Sequence, residues 1–307
     1  MNVLVTGATG FLGTALTAAL GQQSGLNVTV IHSRNCDLTD FSALTGFRHP
    51  RYDLIFHLAA WTQAGDFCLH HAGEQWIINQ RINTNVLAWW HDCQPGAKLV
   101  AIGTSCSYDE RLPLSEPNYL AGEPTPSLFT YAMTKRMLYS GLLALEKQYG
   151  HRYLHVVPNT LYGPGYHVDG RQMHFVFDLI RKVLRGKHRG EPVVLWGDGF
   201  QRRELVYVDD FVKILMRLAQ GYDNEHVNVA SGQDLTIREF AQHICERIGY
   251  DFGRVQFDTA RYVGVRSKCL VIDKLRRLLP DVGFTPLAEG LDQTIAWMQS
   301  RLDIFLK

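Results

Sequence analysis

Three features that would place a chain in a membrane, outside the cell or on nucleic acid are missing from this sequence. No run of about 18 apolar residues occurs, so we expect no membrane-spanning segment. The six cysteines include no CxxC pair, and no secretory segment precedes the first apolar strand, which favours a reducing cytoplasm. Basic and acidic residues number 31 and 30, so there is no global field to attract nucleic acid. The partners expected are small molecules.

The chain has 307 residues, of which 46% are hydrophobic, enough for one large domain or two smaller ones that share a cleft. Strands and helices alternate as far as Pro158, which predicts an α/β protein with a doubly wound parallel sheet. We expect residues 1–158, with about 199–223, to form a dinucleotide-binding domain. A smaller C-terminal substrate-binding region is expected from about 159–198 and 224–307.

Particular elements follow from the same patterns. The strands expected are 28–31, 53–58, 99–102, 153–157 and 205–208. The helices expected are 74–90, 129–149, 237–248 and 287–301. Asp209 and Asp210 are expected to cap a further helix that runs through Ala219.

Glycines are concentrated in a turn near the start of the chain. Residues 2–6 form a short apolar run, and a helical pattern follows the turn. Glycines at this spacing let the backbone turn tightly and approach a pyrophosphate, while the helix N-terminus offers N–H groups to the phosphates. A dinucleotide site is therefore predicted, with an ordinary strand–helix turn as the alternative. Its expected contacts are Gly7, Thr9, Gly10, Phe11, Leu12 and Gly13.

An acidic residue is missing where the second strand ends. An NAD site would place a carboxylate there for the ribose hydroxyls, whereas this chain has Ser33 and Arg34. A hydroxyl and an arginine suit the extra phosphate of NADP, so NADP(H) is the preferred cofactor and NAD(H) the alternative. The alternative interpretation is that Arg34 is a solvated surface residue with no role in cofactor binding.

Further cofactor contacts are expected after the second and third strands. Asp37 and Leu38 follow too soon for another helix and strand to intervene, and Asp37 is expected either near the adenine amine or as the cap of the next helix. Leu58, Ala59 and Ala60 lie where the third strand ends, and small residues there let the cofactor pass closely.

A tyrosine and a lysine at a helical spacing carry the strongest chemical signal. Tyr131 and Lys135 lie one turn apart on a predicted helix, where a neighbouring ammonium lowers the pKa of a phenol. Thr104 ends the fourth strand, and its hydroxyl can bond the same substrate oxygen. Together these groups fit the interconversion of a carbonyl and an alcohol by hydride transfer.

These motifs, in this order, resemble the extended short-chain dehydrogenase/reductase superfamily over nearly the whole chain. The resemblance implies a Rossmann-type fold, catalytic roles for Thr104, Tyr131 and Lys135, and a nucleotide-diphosphate sugar as substrate. It also implies a homodimer that associates through the two long helices 74–90 and 129–149.

Within the superfamily the chain is most similar to the GDP-L-fucose synthase family. The similarity lies in Gly103-Thr104-Ser105-Cys106-Ser107-Tyr108, in Glu123-Pro124-Thr125, in His174 and in Trp196-Gly197-Asp198-Gly199. It implies that Cys106 and His174 act as base and acid in 3,5-epimerisation of a GDP-4-keto-deoxysugar, before NADPH reduces the ketone. The substrate contacts implied are Ser105, Asn159, Thr160, Lys182, Trp196, Arg203 and Lys268.

Several departures and plainer interpretations accompany this resemblance. Thr9 replaces a basic residue of the family's glycine loop, Thr160 replaces an asparagine, and residues 61–66 differ from the family's glycine-rich loop. The sugar is therefore open: a heptose or another deoxysugar on GDP would use the same groups. The plainer interpretations are that Cys106 is a core residue and that His174 is packed in the protein interior. The basic residues Lys182, Arg203 and Lys268 would then be ordinary surface charges. The competing functions are a simple 4-ketosugar reductase and a non-catalytic dinucleotide sensor.

Overall fold

The computed structural model describes residues 1–261 and 265–306. Its strands are β1 (Asn2–Thr6), β2 (Asn27–Ile31), β3 (Leu54–His57), β4 (Lys98–Ile102), β5 (Tyr153–Pro158), β6 (Thr160–Tyr162), β7 (Val194–Trp196), β8 (Arg202–Tyr207), β9 (Glu225–Val229), β10 (Asp234–Thr236), β11 (Gln256–Asp258) and β12 (Ser267–Lys268). Its α-helices are α1 (Phe11–Gly21), α2 (Phe41–Leu44), α3 (Phe67–His70), α4 (Ala72–Cys93), α5 (Phe129–Tyr149), α6 (Phe175–Arg189), α7 (Val208–Gly221), α8 (Ile237–Ile248), α9 (Asp273–Leu278), α10 (Leu287–Gln299) and α11 (Leu302–Phe305).

The larger sheet has six strands in the order β2-β1-β3-β4-β5-β9, and every neighbouring pair is parallel. β3 and β4 are buried along their whole length, as apolar central strands of a sheet covered on both faces should be. The chain passes from β1 to β2 on one side and returns to β3 on the other, so the order reverses at β1. Ligands of such sheets bind beyond the carboxyl ends of the strands at this point. The predicted doubly wound fold is confirmed.

Alternation along β1 sends its side chains into two separate cores. Val3 and Val5 pack into the core that also contains residues of α1 and α7, whereas Leu4 packs into the core with residues of α4 and α5. Successive residues of a strand point to opposite faces, so one strand serves both layers of helices. The catalytic helix predicted at 129–149 is α5, and it lies against α4 on the second face.

A smaller layered region follows. β10, β8 and β12 form a sheet in which β6 also pairs with β8, and β7 pairs with β11. Helices α6, α8 and α10 enclose a third core with these strands, represented by Phe177, Phe240 and Leu291. No helix in the described ranges is long and apolar enough to cross a membrane.

Two of the expected boundaries differ in the structure. β9 was assigned to the substrate region, yet it pairs with β5 at the edge of the larger sheet. β8 was assigned to the dinucleotide domain, yet it pairs with β6, β10 and β12 in the smaller sheet. Sheet membership depends on pairing between distant segments, which periodicity along one segment does not report.

The predicted cap by Asp209 and Asp210 is wrong. α7 already begins at Val208, so both aspartates lie in its first turn, and Tyr207 precedes the helix without a side-chain cap. Asp210 instead accepts a hydrogen bond from the backbone N–H of Thr285 at 2.5 Å. Acidic residues still suit this position, because the helix dipole favours negative charge near the N-terminus.

Candidate active site

The glycine turn between β1 and α1 is shaped by close backbone contacts. Gly7 has a φ of +68°, and a Cβ atom there would lie 2.8 Å from the backbone nitrogen of Ala59. A Cβ atom on Gly13 would lie 2.1 Å from the carbonyl oxygen of Gly7. Gly10 precedes α1 and no side chain caps that helix, so its N-terminal N–H groups are available to an anion. The turn therefore fits the pyrophosphate of a dinucleotide.

The end of β3 is fastened to the end of β1. The Thr6 hydroxyl accepts hydrogen bonds from the N–H groups of Leu58 and Ala59, at 3.2 and 3.3 Å, and it also bonds the His57 ring at 2.9 Å. Burial lowers the pKa of His57 to about 3, so its ring is neutral. Leu58, Ala59 and the glycine turn thus form one wall, as the cofactor prediction requires.

Ser33 and Arg34 are exposed in the turn after β2, next to the strand that carries the glycine turn. Asp37 is exposed as well, and its carboxylate accepts hydrogen bonds from the Thr39 backbone and hydroxyl at 2.9 and 2.8 Å. Asp40, rather than Asp37, caps α2 by accepting from the Ser42 N–H at 2.8 Å. The capping alternative for Asp37 is therefore wrong.

Thr104, Tyr131 and Lys135 lie at the carboxyl end of β4 and on α5. Lys135 is buried, and its Nζ donates to the carbonyl of Ile102, the last residue of β4, at 2.8 Å. The Thr104 hydroxyl oxygen accepts from the Cys106 N–H at 3.3 Å, which leaves the hydroxyl proton free to be donated. The strand end and the helix are thus joined directly.

The electrostatics of this group differ in one respect from the sequence expectation. Burial raises the pKa of the Tyr131 hydroxyl, and the charge of Cys106 raises it further, so the phenol is held in its protonated form. The predicted lowering by Lys135 is wrong, because burial, the largest cause, raises the pKa of Tyr131 instead. Burial lowers the pKa of Lys135 itself to about 8. The site therefore holds a protonated phenol beside a lysine that titrates near neutral pH.

Cys106 has a charged neighbour that the sequence did not predict for it. Lys268 Nζ donates to Cys106 Sγ at 2.9 Å, although the two residues are 162 positions apart. The contact places a cation directly beside the sulfur atom. Cys106 is only half-buried, so the alternative of a core cysteine is wrong.

His174 lies at the start of α6 and is exposed to solvent. Desolvation by the surrounding protein and then the charge of Lys268 lower the pKa of its imidazole. Lys268 therefore contacts Cys106 and also lowers the pKa of His174.

The remaining basic candidates lie on β8 and on α6. Lys268 of β12 is paired in register with Arg203 of β8, so both side chains leave the same face of the small sheet. Arg203 donates to the carbonyls of Arg202 and Val265 at 2.8 and 2.9 Å. Lys182 forms an ion pair with Asp178 at 3.0 Å, and its Nζ lies 5.9 Å from the ring centre of the exposed Trp196.

Asn159 has a supporting role rather than the substrate contact expected of it. It is buried, and its Nδ2 donates to Glu204 at 2.7 Å and to the carbonyl of Lys268 at 2.9 Å. Its Oδ1 accepts from the Thr160 N–H at 2.9 Å. Because these contacts occupy the amide, Asn159 positions the strand that carries Lys268. Thr160 is half-buried and Ser105 is buried beside Thr104.

Sequence reasoning missed two residues that hold the loop around Cys106. The Tyr119 hydroxyl accepts from the Thr104 N–H at 3.4 Å. Arg136, the residue after Lys135, is buried and donates to the carbonyls of Ser107, Ala121 and Gly122 at 2.5 to 2.9 Å. The available signal was a second basic residue directly after Lys135 in α5. In the described part of the chain no group of three or more histidine, cysteine, aspartate or glutamate residues is placed to hold a metal ion.

Comparison with known proteins agrees with this geometry. The model of the NAD dependent epimerase/dehydratase family matches residues 3–230. GDP-L-fucose synthase 1 of Arabidopsis thaliana is 30% identical over 96% of this chain and 92% of its own length. GDP-L-fucose synthase of Escherichia coli K12 is also 30% identical, over 99% and 98%.

A crystal structure of a GDP-L-fucose synthetase from Naegleria fowleri bound to NADP superposes with a TM-score of 0.86. It is 24% identical, and the match covers 100% of this chain and 96% of that one. With the parallel sheet, the glycine turn and the Thr104, Tyr131 and Lys135 group, these matches show that the chain is an enzyme of the NAD dependent epimerase/dehydratase family.

Proposed function

We propose that the protein is an NADPH-dependent enzyme that epimerises a GDP-4-keto-deoxysugar at carbons 3 and 5 and then reduces its ketone at carbon 4. One observation carries the epimerase half of the proposal: the 2.9 Å contact between Lys268 Nζ and Cys106 Sγ, beside His174. A simple ketoreductase needs no such thiol. The relatives named GDP-L-fucose synthase support the GDP sugar.

The chain's own residues divide the work in this proposal. The Cys106 thiolate removes a proton from a carbon next to the ketone, and His174 returns one to the opposite face of the ring, having taken it from the solvent to which it is exposed. Two opposed groups are needed because epimerisation adds the proton on the face from which it was not removed. Tyr131 then protonates the oxygen at carbon 4, with Thr104 and Lys135 beside it.

NADPH would supply the hydride for carbon 4. We assign its pyrophosphate to the glycine turn at Gly7, Gly10 and Gly13, because no Cβ atom fits at Gly7 or Gly13 and the N-terminus of α1 is uncapped. Ser33 and Arg34 are assigned to the phosphate that distinguishes NADP from NAD. Lys182, Trp196 and Arg203 are assigned to the nucleotide diphosphate, whose negative charge suits them.

The proposed assembly is a homodimer through α4 and α5. Both helices expose large apolar side chains: Trp76 is 41% exposed, Ile77 52% and Met137 46%. Surface of this kind is typical of protein interfaces. Light scattering after size exclusion at micromolar concentration should give the dimer mass, and a monomer would contradict the assignment.

The proposal is tested with the variants Cys106→Ser and His174→Asn, supplied with GDP-4-keto-6-deoxymannose and NADPH in deuterated water. The wild type should incorporate deuterium at carbons 3 and 5 as it oxidises NADPH. Each variant should lose about 100-fold in incorporation. If neither changes deuterium uptake or product stereochemistry, the enzyme is a simple 4-ketosugar reductase. If the wild type fails to oxidise NADPH with every nucleotide 4-ketosugar tested, the alternative of a non-catalytic dinucleotide sensor is favoured.

A further inference from the structure

Asp66 and Gln172 form a two-point hydrogen bond between loops that are far apart in the chain. Gln172 Nε2 donates to Asp66 Oδ1 at 2.6 Å, and the Asp66 backbone N–H donates to Gln172 Oε1 at 3.1 Å. Asp66 lies in the loop after β3, and Gln172 lies in the loop before α6. A side-chain amide that both donates to and accepts from one residue fixes its orientation as well as its distance.

The loop around Asp66 is shaped to receive this amide. Gly65 has a φ of +70°, and a Cβ atom there would lie 2.1 Å from Gln172 Oε1. His70 Nε2 lies 3.4 Å from Asp66 Oδ2, one helical turn along the chain. The hydrogen bond from Gln172 is the largest influence that lowers the pKa of Asp66, so the acceptor is ionised at neutral pH. Residues 61–66 are also where this chain departs from the sequence of the family it resembles.

Each end of the contact lies two residues from a group at the site. On one side is Cys68, a buried thiol in α3, whose pKa is raised by burial and also by the charge of Cys106 nearby. On the other side is His174, whose backbone N–H donates to the Tyr166 hydroxyl at 3.2 Å. The contact therefore ties the segment beside Cys106 to the segment that carries His174.

We propose that Asp66 and Gln172 are positioning residues for epimerisation, and that their two hydrogen bonds clamp the loop of His174 to the segment beside Cys106. The inference rests on the proposed function, because the two groups must face each other across one sugar ring. Small displacements of a proton donor have large effects on transfer rates. Reduction uses Thr104, Tyr131 and Lys135, to which neither Asp66 nor Gln172 is hydrogen-bonded in the described part of the chain. Loss of the clamp should therefore lower epimerisation more than reduction.

Three variants and one control test the clamp. Gln172→Leu removes both hydrogen bonds at similar size, and Gln172→Glu sets two carboxylates against each other in place of the hydrogen bond from Nε2. The double variant Asp66→Asn with Gln172→Glu transposes the pair: the asparagine amide donates to the glutamate, which still accepts from the backbone N–H of residue 66. Arg171→Ala is the matched control, since Arg171 bonds Asp169 in the same loop.

Two measurements are made on each protein. Hydrogen–deuterium exchange of peptides covering 58–71 and 166–176 reports the clamp without any substrate. Deuterium incorporation at carbons 3 and 5, divided by NADPH oxidised, reports the balance of epimerisation and reduction. We expect Gln172→Leu and Gln172→Glu to accelerate exchange in both peptides and to lower the ratio about fivefold, a modest effect because the hydrogen bonds face solvent. The transposed pair should restore both measurements, and Arg171→Ala should change neither.

Unchanged exchange in Gln172→Leu, or a transposed pair that behaves like the single variants, overturns the clamp. Faster hydrogen–deuterium exchange, with an unchanged ratio of deuterium incorporation to NADPH oxidation, overturns the positioning role. If the wild type turns over no nucleotide 4-ketosugar, the proposed function fails, and the exchange measurement still decides whether the clamp exists.

Discussion

The two groups assigned to reduction and epimerisation are assembled in different ways. Thr104, Tyr131 and Lys135 come from β4 and α5, which follow each other in the chain and are joined by the hydrogen bond from Lys135 to Ile102. Cys106, His174 and Lys268 come from three segments, and the contact of Lys268 with Cys106 spans 162 positions. The position of the first group therefore depends on how one helix, α5, packs against the larger sheet. The second depends on how the smaller region is held against the larger sheet.

This difference predicts that the two activities can be separated. Changes in α5 or the glycine turn should remove reduction and leave proton exchange, whereas changes around Lys268 or the Asp66–Gln172 clamp should do the reverse. Variants that always lower both activities together would contradict the division.

The largest effect is expected for Tyr131→Phe. Removing the hydroxyl that protonates the oxygen at carbon 4 should lower NADPH oxidation by about 10²- to 10⁴-fold. Deuterium incorporation at carbons 3 and 5 should stay within a few-fold of the wild type, because Cys106 and His174 are intact. Tyr149→Phe, at the exposed end of the same helix, is the control and should behave as the wild type. Equal loss of both activities would show that Tyr131 serves a shared step.

The next largest effect is expected for Gly13→Ala. Its Cβ atom would lie 2.1 Å from the Gly7 carbonyl oxygen, so the glycine turn must shift at a cost of about 1–3 kcal/mol. We expect weaker NADPH binding by calorimetry and a lower Tm, with proton exchange retained. Gly21→Ala on the same helix meets no atom within 4 Å and is the matched control. Unchanged NADPH affinity in Gly13→Ala would argue against the cofactor site.

Reduction should decline as the pH rises through about 8. Burial lowers the pKa of Lys135 from 10.5 to about 8, so its ammonium is present below that pH and is lost above it. Tyr131 stays protonated over the same range, since its pKa is raised. The kcat/KM for NADPH oxidation should therefore fall about tenfold one pH unit above the midpoint. Lys135→Arg keeps its positive charge as the pH rises and should flatten the decline. A pH profile identical to that of the wild type would assign the decline to another group.

The smallest effect is expected for Lys268→Met, measured on Cys106 without substrate. Removing the ammonium that donates to Cys106 Sγ should slow alkylation of Cys106 by iodoacetamide about fivefold, as followed by peptide mass. Lys213→Met is the control, because Lys213 lies exposed on α7 and pairs with Asp210. An unchanged rate in Lys268→Met would mean that the contact at 2.9 Å does not activate the thiol.

The sequence by itself determined what short-range patterns encode. Helix 129–149 was predicted with its exact limits, and the glycine turn and the spacing of Tyr131 and Lys135 were evident, because each depends on residues within a few turns of chain. The sequence likewise showed that too few residues separate β2 from Asp37 and Leu38 for another helix and strand to intervene.

Tertiary structure alone decided the rest. Whether β8 and β9 belong to one sheet or the other depends on strand pairing across the chain. The contact of Lys268 with Cys106, the use of Asn159 as a support, and the clamp between Asp66 and Gln172 join residues 45 or more positions apart, which no local pattern records. Desolvation also reversed the expected pKa shift of Tyr131, because burial is a property of the folded chain.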